Sequence, residues 1–216
     1  MGIDGENMAF EPPMGNIPLW NLREEFHYVR EMLRGDDFVA ALQRHERPVR
    51  TPVFDWHGSG ADLLSSLVQR AVLGVESYTV GAAWIKLSEL GRMTAELNEQ
   101  VRNPFSIPTN SGTASAYYDK LPALIHPDLS VSKVDPEFWT DLKAFYRNVR
   151  NPLFHGSHFA NDDVQNAIKS FWFIEELYAW LDQWHKPEWV PGQRMTIVVR
   201  ADAKRFLGNF PSIPPA

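Results

Sequence analysis

Residues 59–97 read SGADLLSSLVQRAVLGVESYTVGAAWIKLSELGRMTAEL. Leu64, Val68, Ala71, Val75, Tyr78, Ala82 and Ile85 recur at alternating steps of four and three, the spacing of one face of an α-helix. Ser59 stands where an N-cap belongs. The pattern runs on with a phase slip through Leu90, Met93 and Leu97. It predicts one long helix or two nearly collinear ones, about 60 Å long if unbroken at 1.5 Å per residue. Gly74 and Gly81 share a face, and each costs about 1 kcal/mol against alanine in a helix interior, so a close-packed neighbouring helix is expected there.

Working towards the N-terminus, Leu22, Phe26, Val29 and Leu33 predict a short helix stopped by Gly35, after an extended start at Pro12, Pro13 and Pro18. A second short helix is expected over 36–46. Pro52 makes 49–56 extended. Towards the C-terminus, 103–134 is dominated by Pro, Ser, Thr and Asn and reads as a long functional or mobile loop, with 117–120 a candidate lid. Asp135, Pro136 and Glu137 then give a cap, a proline at the first helical position and an early acid. Phe138, Leu142, Phe145 and Val149 follow on one face, with a break expected near Pro152.

The last helix is expected over 161–185. It carries one apolar stripe through Val164, Ile168, Phe171 and Tyr178 and a nearly opposite one through Phe173, Trp180 and Trp184, so it must be buried on two sides, by the bundle or by another subunit. Residues 194–200 read as a strand needing a partner, with 49–55 the candidate. The chain is therefore expected to be mainly α: an N-terminal arm over 1–56, an up-and-down bundle of four or more helices over 57–187, and a tail over 188–216 with one β segment.

A chain of 216 residues, 44% hydrophobic and 12% aromatic, buries one substantial core. Its net charge of −6 has the wrong sign for coating nucleic acid through bulk electrostatics, and residues 1–48 alone carry nine acids against five bases. The absence of cysteine leaves no thiolate metal site and no cysteine nucleophile and suits a reducing cytoplasm. No secretory signal is readable, Glu6 occupies the Ser/Thr position of a myristoylation motif, and no apolar run reaches the ~18 residues of a membrane span. A cytoplasmic protein without a membrane partner is expected. There is no P-loop, GxGxxG or HExxH pattern.

One segment departs from a generic helical protein. From Lys143 to His158 there are three bases, two histidines and no carboxylate, a local basic site in an acidic chain. Trp139, Lys143, Tyr146 and Arg150 share a helical flank distinct from the core stripe, aromatic and basic together, which suits a polyanion whose bases stack. On an unbroken helix Arg150 and His155 point about 140° apart. A kink at Asn151, forced by Pro152, is expected to bring them to one cleft, with Asn151 capping a short turn that Gly156 ends.

Arg150, Asn151, three further residues and then His155-Gly156, at the end of one helix and before a second, resembles the HEPN superfamily, a nucleotide-binding domain shared by higher eukaryotes and prokaryotes. The resemblance covers about 59–186. It implies a HEPN-like helical bundle, usually a homodimer, and metal-independent endoribonuclease activity through a 2′,3′-cyclic phosphate, in defence or in a toxin–antitoxin system with an antitoxin protein as partner. Arg150, Asn151 and His155 are the implied catalytic residues. His155 would move the proton of a ribose 2′-hydroxyl or of the leaving 5′-oxygen, Arg150 would hold the scissile phosphate, and Asn151 would orient either. Lys143, Tyr146, Arg147 and His158 are the expected RNA-binding residues, with no metal and no cofactor. Many toxin-like members carry Tyr two positions after the His, where this chain has Ser157. The alternative reading is a catalytically silent HEPN-like bundle that binds RNA or protein and keeps the motif for helix capping.

Overall fold

The computed structural model describes residues 19–34, 60–108, 112–159, 164–185, 188–191, 193 and 197. The expected helix over 36–46 and extended segment over 49–56 lie outside these residues, as does the strand over 194–200 apart from Ile197, a part-buried side chain on the core. The described residues are mainly helical: α1 (Leu19–Arg34), α2 (Gly60–Glu89), α3 (Ala95–Arg102), α4 (Leu121–Ile125), α5 (Pro136–Phe145), α6 (Asn151–Phe154) and α7 (Val164–His185). Among them, no helix is long and apolar enough to cross a membrane.

The central helix is α2, packed by both α1 and α7. Its periodic positions Leu64, Val68, Ala71, Val75, Tyr78 and Ala82 are buried, as are Gly74 and Gly81. The helix ends at Gly91, where φ is +63°. Arg92 N–H donates to the Leu87 carbonyl at 2.9 Å and Gly91 N–H to that of Ser88 at 3.0 Å, the paired bonds of a Schellman stop. Thr94 then caps α3, accepting from Leu97 N–H at 3.1 Å. The phase slip in the sequence is this turn. Trp84 Nε1–H donates to Asn98 Oδ1 at 3.1 Å, whereas collinear helices would hold those residues about 21 Å apart. The chain folds back, and the expectation of a single or collinear rod is corrected.

Ile168, Phe171 and Tyr178 of one stripe of α7 and Phe173, Trp180 and Trp184 of the other are all buried within the one chain. Phe26 of α1 meets Phe171 and Tyr178 at ring separations of 5.8 and 4.9 Å. On the other side, Phe173 stacks on Phe138 at 4.6 Å and lies 5.3 Å from Phe145. The bundle thus sandwiches α7. The boundary at residue 56 sets α1 apart as an arm, yet α1 supplies Phe26 and Val29 to the same core and is tied to α7 by the Arg23–Asp182 and Arg30–Glu175 ion pairs.

Two further expectations are corrected, and for one reason. The described residues over 103–134 are largely helical, and the helix that begins at Pro136 passes through Pro152 without a break. Each run holds a π-helical turn just before its proline: Ala116–Lys120 ahead of Leu121-Pro122, and Tyr146–Arg150 ahead of Asn151-Pro152. Leu121 N–H bonds the Ala116 carbonyl and Asn151 N–H that of Tyr146. A proline lacks the amide donor, and its ring collides with the carbonyl four residues back in an α-turn. Widening that turn to i→i+5 bonding accommodates the ring without leaving the helix. Asn151 accordingly keeps helical angles, φ −63° and ψ −47°.

The Schellman stop gives a direct test. An added Cβ at Gly91 would meet nothing within 4 Å, so only the left-handed backbone opposes it. Gly91→Ala should lower the unfolding free energy by about 1–2 kcal/mol. Gly91→Asn should lose clearly less, read as urea midpoints at unchanged m-value.

Candidate functional site: a basic cleft beside a buried carboxylate

A π turn acts as a one-residue insertion in the helical register. An unbroken α-helix would continue the flank of Trp139, Lys143 and Tyr146 at Arg150. Instead, the flank continues at Arg147 and Asn151, and these five residues line one cleft of about 400 Å³ together with Gly112, Thr113, Ala114 and Ser115. No carboxylate is among the described residues lining it. Lys143 and Arg147 are exposed at the cleft, and the Lys143 ammonium sits 5.6 Å from the Trp139 ring centroid. The cleft's other wall comes from the stretch whose composition suggested a functional loop.

Arg150 is rotated the other way. Its Nε and Nη2 donate to the two carboxylate oxygens of Glu76 at 3.2 and 3.3 Å, and its guanidinium lies 4.1 Å from the Phe154 ring centroid. Nη1 reaches Asn151 Oδ1 at 3.5 Å. The side chain is 16% exposed and that of Glu76 5%. Arg150 therefore does not line the cleft, and meets it through Asn151 and through the Tyr146 ring, 5.7 Å from the guanidinium.

Glu76 is the residue the sequence reading passed over. It is the one acid between Asp62 and Glu89, in the middle of a long, largely buried helix, and an isolated carboxylate in such a setting signals a buried partner. Tyr146 is a buried residue in the cleft floor and donates its hydroxyl to Glu76 Oε1 at 2.8 Å. The Tyr118 hydroxyl lies 3.0 Å from that of Tyr146. Burial pushes both phenols well above their ordinary range, so both stay protonated. A phenol has one proton, so Tyr146, donating to Glu76, accepts from Tyr118. Burial also raises the Glu76 carboxyl, against the opposing pull of Arg150 and of the Tyr146 hydroxyl.

His155 is exposed at the C-terminal end of the same helical run. Ser157 N–H donates to the Pro152 carbonyl at 3.0 Å and Gly156, at φ +94°, to that of Leu153 at 3.4 Å, so His155 caps a second Schellman stop. The predicted kink that would swing His155 to Arg150 is absent, because the π turn has already accommodated Pro152. His158 is exposed, with Nδ1 3.6 Å from Asp62 Oδ1. The predicted residues thus fall into three places: Lys143, Tyr146, Arg147 and Asn151 at the cleft, Arg150 on Glu76, and His155 and His158 at the following turn. Among the described residues no cluster of His, Cys, Asp and Glu could hold a metal ion.

Comparison of the chain with family models, with curated proteins and with solved structures returns no match.

A carboxyl raised by burial binds its proton more tightly in the native than in the unfolded state. Its contribution to stability is present below the unfolded carboxylate range and is lost as pH rises through the native titration. Glu76→Gln is neutral at every pH. The difference in unfolding free energy between Glu76→Gln and wild type should be flat below about pH 4 and turn in favour of the variant as pH rises. A wild type that gains on the variant with rising pH would mean that the Arg150 pair outweighs burial.

Proposed function

We propose that this bundle binds single-stranded RNA in the cleft formed by Trp139, Lys143, Arg147, Asn151 and residues 112–115. The observation that carries the reading is the cleft's composition: two exposed cations, an indole and several polar groups face one cavity with no carboxylate among the described lining residues. Cations track a phosphate backbone, an aromatic ring stacks on a base of any sequence, and the hydroxyls of Thr113 and Ser115 and the Asn151 amide offer donors and acceptors to base edges and the ribose 2′-hydroxyl. The acidic chain as a whole opposes broad coating of nucleic acid, and a cleft this narrow needs none. This reading sets the protein in the cytoplasm with RNA as its partner.

Metal-independent cleavage, the activity implied by the HEPN resemblance, is the second reading. One observation favours it: Asn151 joins the cleft to the Arg150 guanidinium, and His155 stands exposed one turn further on. With Arg150 on Glu76, a phosphate must first displace a two-point carboxylate partner, so binding is the function this geometry supports best. A homodimer that brings two such motifs together, and an antitoxin that covers them, belong to this second reading.

Anisotropy of a fluorescein-labelled twelve-residue oligouridine, in a chelating buffer, tests the first reading. Trp139→Ala should weaken binding by about 5- to 150-fold. Lys143→Ala and Arg147→Ala should each reduce the magnitude of the slope of log affinity against log salt by about 0.7, one phosphate contact on a single strand. Wild-type affinity in all three variants would overturn the cleft. In the same buffer, fragments ending in 2′,3′-cyclic phosphate from wild type and not from His155→Ala would establish cleavage. Intact RNA with both proteins would leave a binding module.

A further inference from the structure

We propose that Glu76 is a charge gate on this cleft: its carboxylate holds the Arg150 guanidinium off the phosphate-binding flank, and Arg150 joins that flank only when the Glu76–Arg150 pair opens. The proposal rests on the RNA reading of the cleft given above and adds a regulator to it.

The pair is built to open on one side only. Its two bonds, at 3.2 and 3.3 Å, are longer than the 2.7–2.9 Å of a well-made charge-assisted bond. Three of the five guanidinium N–H donors are engaged, two by Glu76 and one by Asn151 Oδ1 at 3.5 Å. The Asn151 contact already points Nη1 towards a residue that lines the cleft. Arg150 is a long side chain that reaches the surface with 16% exposure and lies over the Phe154 ring at 4.1 Å, so turning outward about its own torsions gives up that stacking and the Glu76 bonds but moves no backbone. Glu76, on the middle of α2 and 5% exposed, cannot follow.

Opening the pair leaves Glu76 buried with the Tyr146 hydroxyl as its donor and no counter-charge. A carboxylate in that position takes a proton from solvent, while the guanidinium keeps its charge. Release of Arg150 is therefore coupled to uptake of one proton. The groups facing Glu76 are Arg150 and Tyr146 from the 136–154 run and Tyr118 and Tyr117 from the 113–125 run. Tyr117 is pushed up to about 12, mainly by burial and then by Glu76 itself. Burial likewise pushes Tyr118 and Tyr146 well above the ordinary phenol range, so the carboxyl of Glu76, itself raised by burial, is the group of this cluster that exchanges a proton while the three phenols stay protonated. A phosphate at the cleft and a proton on Glu76 favour the same open state, and each strengthens the binding of the other.

The test uses the labelled oligouridine with wild type, Glu76→Gln and the double variant Glu76→Gln/Arg150→Gln at pH 7.5. Glu76→Gln should bind several-fold more tightly at low salt, with a salt slope steeper by about 0.7, one added phosphate contact. The double variant should lose that increment. A wild-type slope in Glu76→Gln, or a steeper slope kept by the double variant, overturns the gate. Should Glu76→Gln fail to fold by circular dichroism, wild type and Arg150→Gln are compared at pH 5 and pH 7.5. Ionisable groups other than Arg150 are common to both proteins, so the gate requires the wild-type slope to steepen more on acidification than that of Arg150→Gln, and equal responses overturn it. Absence of any RNA binding by wild type removes the cleft reading and the gate together, whereas binding with an unaltered slope removes the gate alone.

Discussion

A single carboxylate on the central helix organises the middle of this molecule. Glu76 projects from α2 into a region closed by the 113–125 and 136–154 runs, and each run sends it a tyrosine or a tyrosine's partner: Tyr146 bonds it directly, and Tyr118 bonds Tyr146. Arg150 supplies the counter-charge. A buried charge that loses its partner is strongly destabilising, while the intact pair adds little over an apolar replacement. The network is thus weak as a source of stability and strong as a constraint on register: α2 and the two runs must meet so that these four side chains coincide.

The two π turns make that coincidence available. Each lies directly before a proline, and each carries one of the paired tyrosines, Tyr118 in one and Tyr146 in the other. Their rings meet edge to face at 5.8 Å. The inserted residue lets each helix pass its proline and, in the 136–154 run, turns Arg150 inward while bringing Arg147 and Asn151 to the cleft. The same local event separates the cations that face solvent from the cation that faces Glu76. Cleft and gate are two consequences of one register shift.

Much of the bundle is legible in single-helix patterns. The alternating three- and four-residue steps of α2, the Asp135-Pro136 start of α5, and the two stripes of α7 all appear in the structure, because burial on a helix face imposes a period that neighbouring residues display. Of the flank inferred from a regular helix, Trp139, Lys143 and Tyr146 keep their place and Arg150 does not. The stretch over 103–134 misled for a related reason: Pro122 and the Ser/Thr/Asn content imply breakage, whereas buried Tyr118, Leu121 and Ile125 hold the segment helical once its π turn has made room for the proline. The fold-back at Gly91 was also written in the sequence, as a glycine inside a slipping pattern, but the slip alone gives no direction for the following helix.

By itself the sequence determined a helical protein with one apolar core, the faces that α2 and α7 must bury, and a basic, acid-free segment ending in Arg150, Asn151 and His155. These follow from periodicity and composition, which act over a few turns of one chain segment. Only the tertiary structure decided that α7 is covered on both sides by its own chain, that residues 112–115 wall the cleft, and that Arg150 lies on a carboxylate 74 residues away. Those outcomes depend on the register between helices, which a π turn shifts by one residue and which no single helix can reveal.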